Sequence, residues 1–180
     1  MVETTHPGNI GAAARVMANL GLADLRLVRP RVFPAQDATA RAAGAEHILE
    51  QAIVCDTLEE ATAGCSFVIG ATARRRTVGS PLLEPQNAAS QLIEASRHGS
   101  TALVFGQEAA GLTNEHLDLC HSHVRVGVED DFPSLNVATA VAILIYEVRR
   151  QSYSHAPSED NGCEIDPRLK GTVPMTVSEF

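Results

Sequence analysis

The chain has 180 residues, 44% of them hydrophobic and 20% charged, with four cysteines and no tryptophan. That suffices for one domain with a core built mainly from Ala, Val, Leu and Ile. The formal net charge of −8 argues against non-specific nucleic-acid binding. The longest apolar run, Val137 to Tyr146, is too short to span a bilayer, so no membrane partner is expected.

Taken in order, the segments alternate between strand and helix periodicity. Asn9 to Leu20 reads as a helix with Ile10, Ala13, Met17 and Leu20 on one face and Gly21 just past its end. Leu25 to Val28 reads as a strand ended by Pro30, Gln36 to Ala43 as a short helix stopped by Gly44, and Ile53 to Cys55 as a strand. Thr57 is placed to cap a helix over Leu58-Glu59-Glu60-Ala61. Phe67 to Gly70 is a strand, and Pro85 to Arg97 a helix with proline in its first turn. Ala102 to Phe105 is a strand, Thr113 to Leu119 a helix, and Val124 to Val128 a strand. Ser134 to Arg150 is the long final helix. This order predicts an α/β fold: a mostly parallel sheet with helices on both faces, over residues 1–151. Residues 152–180 have a linker or tail composition. Only three residues precede the first strand-to-helix turn, so the start of a first strand is expected to be missing.

Cys55, Cys65, Cys120 and Cys163 form no C-x-x-C pair. A reducing, cytoplasmic compartment is the simpler reading, with neither disulfide framework nor metal site expected. Cys120-His121-Ser122-His123 has the look of a metal cluster. Its two histidines point opposite ways in an extended chain, and a structural role is favoured.

Four motifs carry chemistry. Gly8-Asn9-Ile10-Gly11-Ala12-Ala13-Ala14-Arg15 places small residues where a backbone can approach closely. It also places Arg15 in a helix whose other middle positions are apolar or alanine. Asn9 and Arg15 are expected roughly on one side of it. Taken alone, Arg15 reads as a solvent-facing arginine. Ala71-Thr72-Ala73-Arg74-Arg75-Arg76 follows a buried strand; its small residues can wall a flat ligand. Its arginines suit a polyanion, RNA or DNA, better than a merely solvated loop. Phe105-Gly106-Gln107-Glu108-Ala109-Ala110-Gly111-Leu112 puts a glycine directly after a strand, where a ligand can come close. Glu108 is available to a ligand or an arginine. It lacks the signatures of a P-loop and of a dinucleotide fingerprint. Pro133-Ser134-Leu135-Asn136 opens the last helix, with Ser134 as N-cap and exposed backbone N–H groups. Charge is uneven: residues 1–76 hold eight Arg and eight acids, whereas residues 77–180 hold six basic and fourteen acidic residues.

Together these blocks resemble the SPOUT superfamily of RNA methyltransferases, and within its SpoU class the TrmJ-like tRNA ribose 2′-O-methyltransferases. The carriers are residues 3–15, residues 105–115 and Ser134-Leu135-Asn136 with the helix ending Tyr146-Glu147-Val148-Arg149. The resemblance implies a C-terminal trefoil knot and S-adenosyl-L-methionine as cofactor. It implies a homodimer with each active site shared across the interface, a tRNA substrate and no metal. By position, the cofactor contacts would come from Ala71, Thr72, Ala73, Gly106, Val126, Pro133, Ser134 and Leu135. Arg15 matches the catalytic arginine, acting on the cofactor of the other subunit, with Ser134 as a second catalytic position. Asn9, Arg74, Arg76, Glu108 and Asn136 would face the RNA. The expected target is a pyrimidine ribose at position 32 of the anticodon loop. Another tRNA or rRNA position is the alternative, as is a catalytically silent RNA-binding dimer module. A nucleotide-binding dehydrogenase is weakened by the missing G-x-G-x-x-G. Relatives of this type usually carry a longer first strand and a C-terminal extension.

Overall fold

A computed structural model describes residues 1–73, 82–129, 131 and 135–154 of the chain. The elements run α1 (Pro7–Asn19), β1 (Arg26–Val28), α2 (Gln36–Ala42), α3 (Glu46–Glu50), β2 (Ile53–Cys55), α4 (Leu58–Ala61), β3 (Cys65–Ala71), β4 (Leu82–Leu83), α5 (Pro85–Ser96), β5 (Ser100–Val104), α6 (Asn114–Asp118), β6 (Ser122–Val124) and α7 (Val137–Ser154). The strand pairings are parallel, in two sheets rather than one: β1–β2, and a four-stranded sheet in the order β4-β6-β3-β5.

The central sheet is buried on both faces. Along β3 and β5 successive side chains point to opposite sides. Ile69, Ala71, Leu103 and Phe105 enter one apolar cluster with α1, α5 and α7 residues such as Met17, Leu92, Val141 and Leu144. Val68, Ala102 and Val104 enter a second cluster with Leu58 of α4 and Leu117 of α6. Helices therefore cover both faces, and the strands need continuous apolar runs rather than alternation. Each fully buried side chain, such as Ile69 or Leu103, contributes about 1.5–3 kcal/mol.

Local chemistry sets the helix ends. Pro7 sits in the first turn of α1, two residues earlier than the predicted start. Gly21 follows its end with φ +77, the left-handed residue that such a terminus favours. Thr57 accepts from the Glu60 N–H, and Thr113 forms a capping box with His116. Gly11 lets α2 cross α1 closely, because a Cβ there would run into the Ala38 carbonyl. The first residues form a strand stub beside β1: Val2 bridges Val28, the Met1 ammonium donates to the Arg26 carbonyl, and Val28 N–H donates to the Met1 carbonyl.

Several elements depart from the sequence expectations. The segment α3 and the two-residue β4 carry no periodicity and were not expected. Strand β6 covers Ser122–Val124 instead of Val124–Val128. Its partner β3 stops at Ala71, opposite Val124, so the alternating residues beyond have no neighbour in β3 to pair with. Helix α7 begins at Val137 rather than Ser134 and extends to Ser154. Its first turn is capped by Asn136, whose Oδ1 accepts the Ala138 N–H at 2.9 Å. Ser134 itself lies outside the described residues.

Candidate active site

Three loops leave the central sheet at its carboxyl edge and face one another there. The segment after β3 contributes Ala71, Thr72 and Ala73. The segment after β5 contributes Glu108, Ala109, Ala110, Gly111 and Leu112. Val124 at the end of β6, then Val126 and Val128, form the third side, and Leu135 with Ala140 and Leu144 of α7 close it. Together they line an open cleft at the carboxyl edge of the sheet, where open α/β sheets hold small ligands. Most of its lining residues are alanine, valine and leucine, small enough to admit an aromatic heterocycle, while backbone polar groups are exposed between them. Polar side chains converge at few points: the buried Thr72, and Glu108.

Glu108 accepts four hydrogen bonds from the segment that opens α1. Its Oε2 takes the Thr5 N–H at 3.2 Å and the Thr5 hydroxyl at 2.7 Å. Its Oε1 takes the His6 N–H and the Asn9 side-chain amide, both at 3.0 Å. Burial alone would push this carboxyl up, but the bonds from Thr5, Asn9 and His6 together hold it below the usual carboxylate range. A negative charge beside the first turn of α1 also complements the positive end of the helix macrodipole.

The network continues. Asn9 Oδ1 accepts from Asn136 Nδ2 at 3.0 Å, and Asn136 Oδ1 caps α7. One chain of bonds thus runs from the cleft floor at Glu108, through Asn9, to the start of α7. It joins residues 99 and 127 positions apart in sequence, and links the three motifs that sequence reading picked out separately.

Of the cofactor residues named from sequence, Ala71, Thr72, Ala73, Val126 and Leu135 line the cleft. Gly106 is buried beside it without lining it. A Cβ at Gly106 would run into the backbone of Gly111 and Leu112. The close approach this glycine permits is therefore to its own loop, which it folds back against the strand end. Pro133, Ser134, Arg74 and Arg76 lie outside the described residues. Of the residues expected to face RNA, Asn9, Glu108 and Asn136 spend these polar atoms on one another. Asn9 and Arg15 do not share a side. Both lie in the continuous helix α1, where six residues make about 1.7 turns and set them about 120° apart. Asn9 points to Glu108, whereas Arg15 is exposed and is not part of the cleft of its own chain.

The remaining candidates are structural. His121 Nδ1 accepts the Val68 N–H at 3.1 Å, and buried His123 bonds the Leu117 carbonyl through Nε2 at 2.9 Å. No group of three or more His, Cys, Asp or Glu among the described residues could hold a metal ion. Burial pushes the Cys120 thiol up to about 12, and its Sγ donates to the His116 carbonyl; it is inert as a nucleophile. The sequence signal for Glu108's role was its place four residues after the end of β5, but its partners could not be named without the fold.

A parallel α/β sheet with an apolar, small-residue cleft at its carboxyl edge defines a class of proteins that hold a compact ligand between strand-end loops. The family model described as SpoU rRNA Methylase family matches residues 1–146, and the chain belongs to that family. It is 54% identical over 150 residues to tRNA (cytidine/uridine/adenosine-2'-O-)-methyltransferase TrmJ of Pseudomonas aeruginosa, covering 83% of this chain and 58% of that protein. It is 45% identical over 164 residues to tRNA (cytidine/uridine-2'-O-)-methyltransferase TrmJ of Yersinia pestis, covering 89% of this chain and 64% of that one. The crystal structure of TrmJ from Z. mobilis superposes with a TM-score of 0.77 at 40% identity, covering 83% of this chain and 66% of that one. The chain thus spans about three fifths of the length of the curated relatives it matches.

Proposed function

We propose that the protein is an S-adenosyl-L-methionine-dependent tRNA ribose 2′-O-methyltransferase, working as a cytoplasmic homodimer. The observation that carries this reading is the cleft. Three strand-end loops and the start of α7 enclose it, and the Glu108–Asn9–Asn136 network ties its floor to α1, the helix that carries Arg15. The names of the curated relatives support the reaction class.

The residues present fit the cofactor. Ala71, Ala73, Ala109 and Ala110 give flat apolar walls for an adenine ring, and the Leu112–Leu135 side offers apolar contact. Backbone groups of the 106–112 loop and the first turn of α7 would hold its polar atoms. When bound, S-adenosylmethionine supplies a methyl group made electrophilic by a sulfonium. The chain's part is then to place a ribose O2′ in line with that methyl and keep water out. Arg15 is effectively always protonated. It is therefore suited to stabilise charge developing on O2′ and to hold the adjacent phosphate, rather than to act as a base. Since it is exposed on its own chain and off its own cleft, it would serve the cleft of a second subunit. Ser134, Pro133, Arg74 and Arg76 keep their proposed places at the cofactor and the RNA. Asn9, Glu108 and Asn136 act as positioning residues, bonded to one another.

Threading of the C-terminal half as a trefoil knot belongs to the same proposal. It is supported by the sheet order, in which the late strand β6 lies between the earlier β3 and β4. The target is proposed to be a pyrimidine ribose at position 32 of the anticodon loop. A ribose-directed site also fits a broader target, as the name of the Pseudomonas relative suggests. The test is methylation of unmodified tRNA with isotopically labelled S-adenosylmethionine, followed by nucleoside mapping. Label in a 2′-O-methylpyrimidine at position 32 is expected. Label only on a base, or no transfer by a chain that binds both partners, would overturn the reading.

A further inference from the structure

Among the described residues, three that are not glycine adopt positive φ: Glu3 at 57, Arg29 at 45 and Ala43 at 42. Ala43 ends α2, an ordinary place for it. Glu3 and Arg29 have no such excuse, and they meet each other: Arg29 Nη2 lies 2.8 Å from Glu3 Oε1, with both side chains about half exposed (56% and 51%). Sparsely populated backbone held in place by its surroundings concentrates at working sites.

Both residues sit at the carboxyl edge of β1, where Glu3 N–H donates to Val28 and Arg29 N–H to Cys55. Two residues on, the Arg31 N–H donates to the Thr4 carbonyl at 2.8 Å. Thr4 directly precedes Thr5 and His6, the donors to Glu108 on the cleft floor. Gln107 Nε2 reaches the Glu3 carbonyl from the other side. The Arg29-Pro30-Arg31 turn is therefore fixed to the same segment that holds the cleft. Arg31 is exposed, and no carboxylate among the described residues pairs with it. Glu3 offsets Arg29, and Glu108 already serves four internal donors. Burial keeps the nearby His116 below its usual range, so it adds no charge at neutral pH. What remains on this edge is one unpaired guanidinium beside a second that a single exposed bond retains.

We propose that the Arg29-Pro30-Arg31 turn is a backbone-phosphate contact for the RNA strand that enters the cleft, with Glu3 presetting Arg29. This rests on the reading of the protein as an RNA methyltransferase. Two guanidinium forks on one turn whose backbone is fixed match phosphate oxygens, and a chain of net charge −8 needs such a local cation to receive a polyanion.

The test is binding of unmodified tRNA by the full chain at several salt concentrations, for wild type, Arg31→Ala, Arg29→Ala with Arg31→Ala, and Glu3→Gln. S-adenosylmethionine affinity by calorimetry serves as the control of folding. For the double variant, affinity should fall about tenfold and the log–log salt slope should shrink by between one and two. Cofactor affinity should not change. Arg31→Ala removes no side-chain bond to the described residues; it should lose about threefold, and it carries the test alone if the double variant unfolds. Glu3→Gln should bind tRNA as well as wild type or better. Unchanged affinity in both arginine variants would overturn the inference, as would a loss in Glu3→Gln equal to that in the double variant, which would make the pair merely structural. A wild-type chain that binds no RNA would overturn the broader reading as well.

Discussion

Glu108 and Arg15 are both charged residues of the motifs that define this chain, and the structure uses them in opposite ways. Glu108 points inward and binds four donors on the α1 entry segment. Arg15, about two turns into the same helix, is exposed. The contrast teaches that one end of α1 is fixed to the cleft of its own chain while the other is presented outward. A single helix can thus brace one site and serve another.

That contrast makes its strongest prediction at Arg15. Replacing it by alanine should lower the methyl-transfer turnover about 10²–10³-fold, the cost of one transition-state donor. Thermal midpoint and S-adenosylmethionine affinity should stay unchanged. A variant with full turnover, or one that fails to fold, would remove the distinction between the two residues.

Gly106→Ala should damage cofactor binding next most severely. The added methyl meets backbone at Gly111 and Leu112 rather than a flexible side chain, so the loop must shift. A loss of about 1–3 kcal/mol in stability is expected, with a weaker cofactor Kd; denaturant melts and calorimetry read the two separately. Glu108→Ala should cost about 2 kcal/mol, because hydrogen bonds to a charged acceptor are lost and the donors on Thr5, His6 and Asn9 are left without it. Glu108→Gln should cost less. Both should raise KM and lower kcat together if the network positions α1.

The smallest effect is in pH. Glu108 is held below its unfolded carboxylate value, so its contribution to stability is fully present above that value. It is lost as pH falls through the lower folded value. The urea midpoint of wild type minus that of Glu108→Gln should be constant at neutral pH and shrink only on acidification below the ordinary carboxylate range. A difference that grows on acidification would contradict the assignment of Glu108 as an ionised acceptor.

How much of this was legible in the sequence depends on the range of the interactions. The ends set by local chemistry were readable: Gly21 after α1, Thr57 as a cap, proline at the start of α5. So were the small residues Ala71 to Ala73, because size alone fits them to a cleft wall. Elements defined by their neighbours were not. Val124-Arg125-Val126-Gly127-Val128 has perfect strand alternation, but β3 ends opposite Val124. Ser134 is as good a cap as Asn136 by type, yet Asn136 caps α7 while donating to Asn9. Glu108 looked available to a ligand because its partners lie 99 to 103 residues away. Gly106 was expected to let a ligand come close, whereas the backbone it lies against is that of Gly111 and Leu112.

The central claim is that Arg15 of one chain completes the cleft of another. Co-expressed, separately tagged Arg15→Ala and Ala73→Trp chains test it most directly, the tryptophan filling a cleft wall so that its own site binds no cofactor. Each homodimer should be inactive. The purified heterodimer should regain roughly half of wild-type tRNA methylation, one intact site of two. A heterodimer as inactive as its parents would show that Arg15 serves the cleft of its own chain, and would contradict the account.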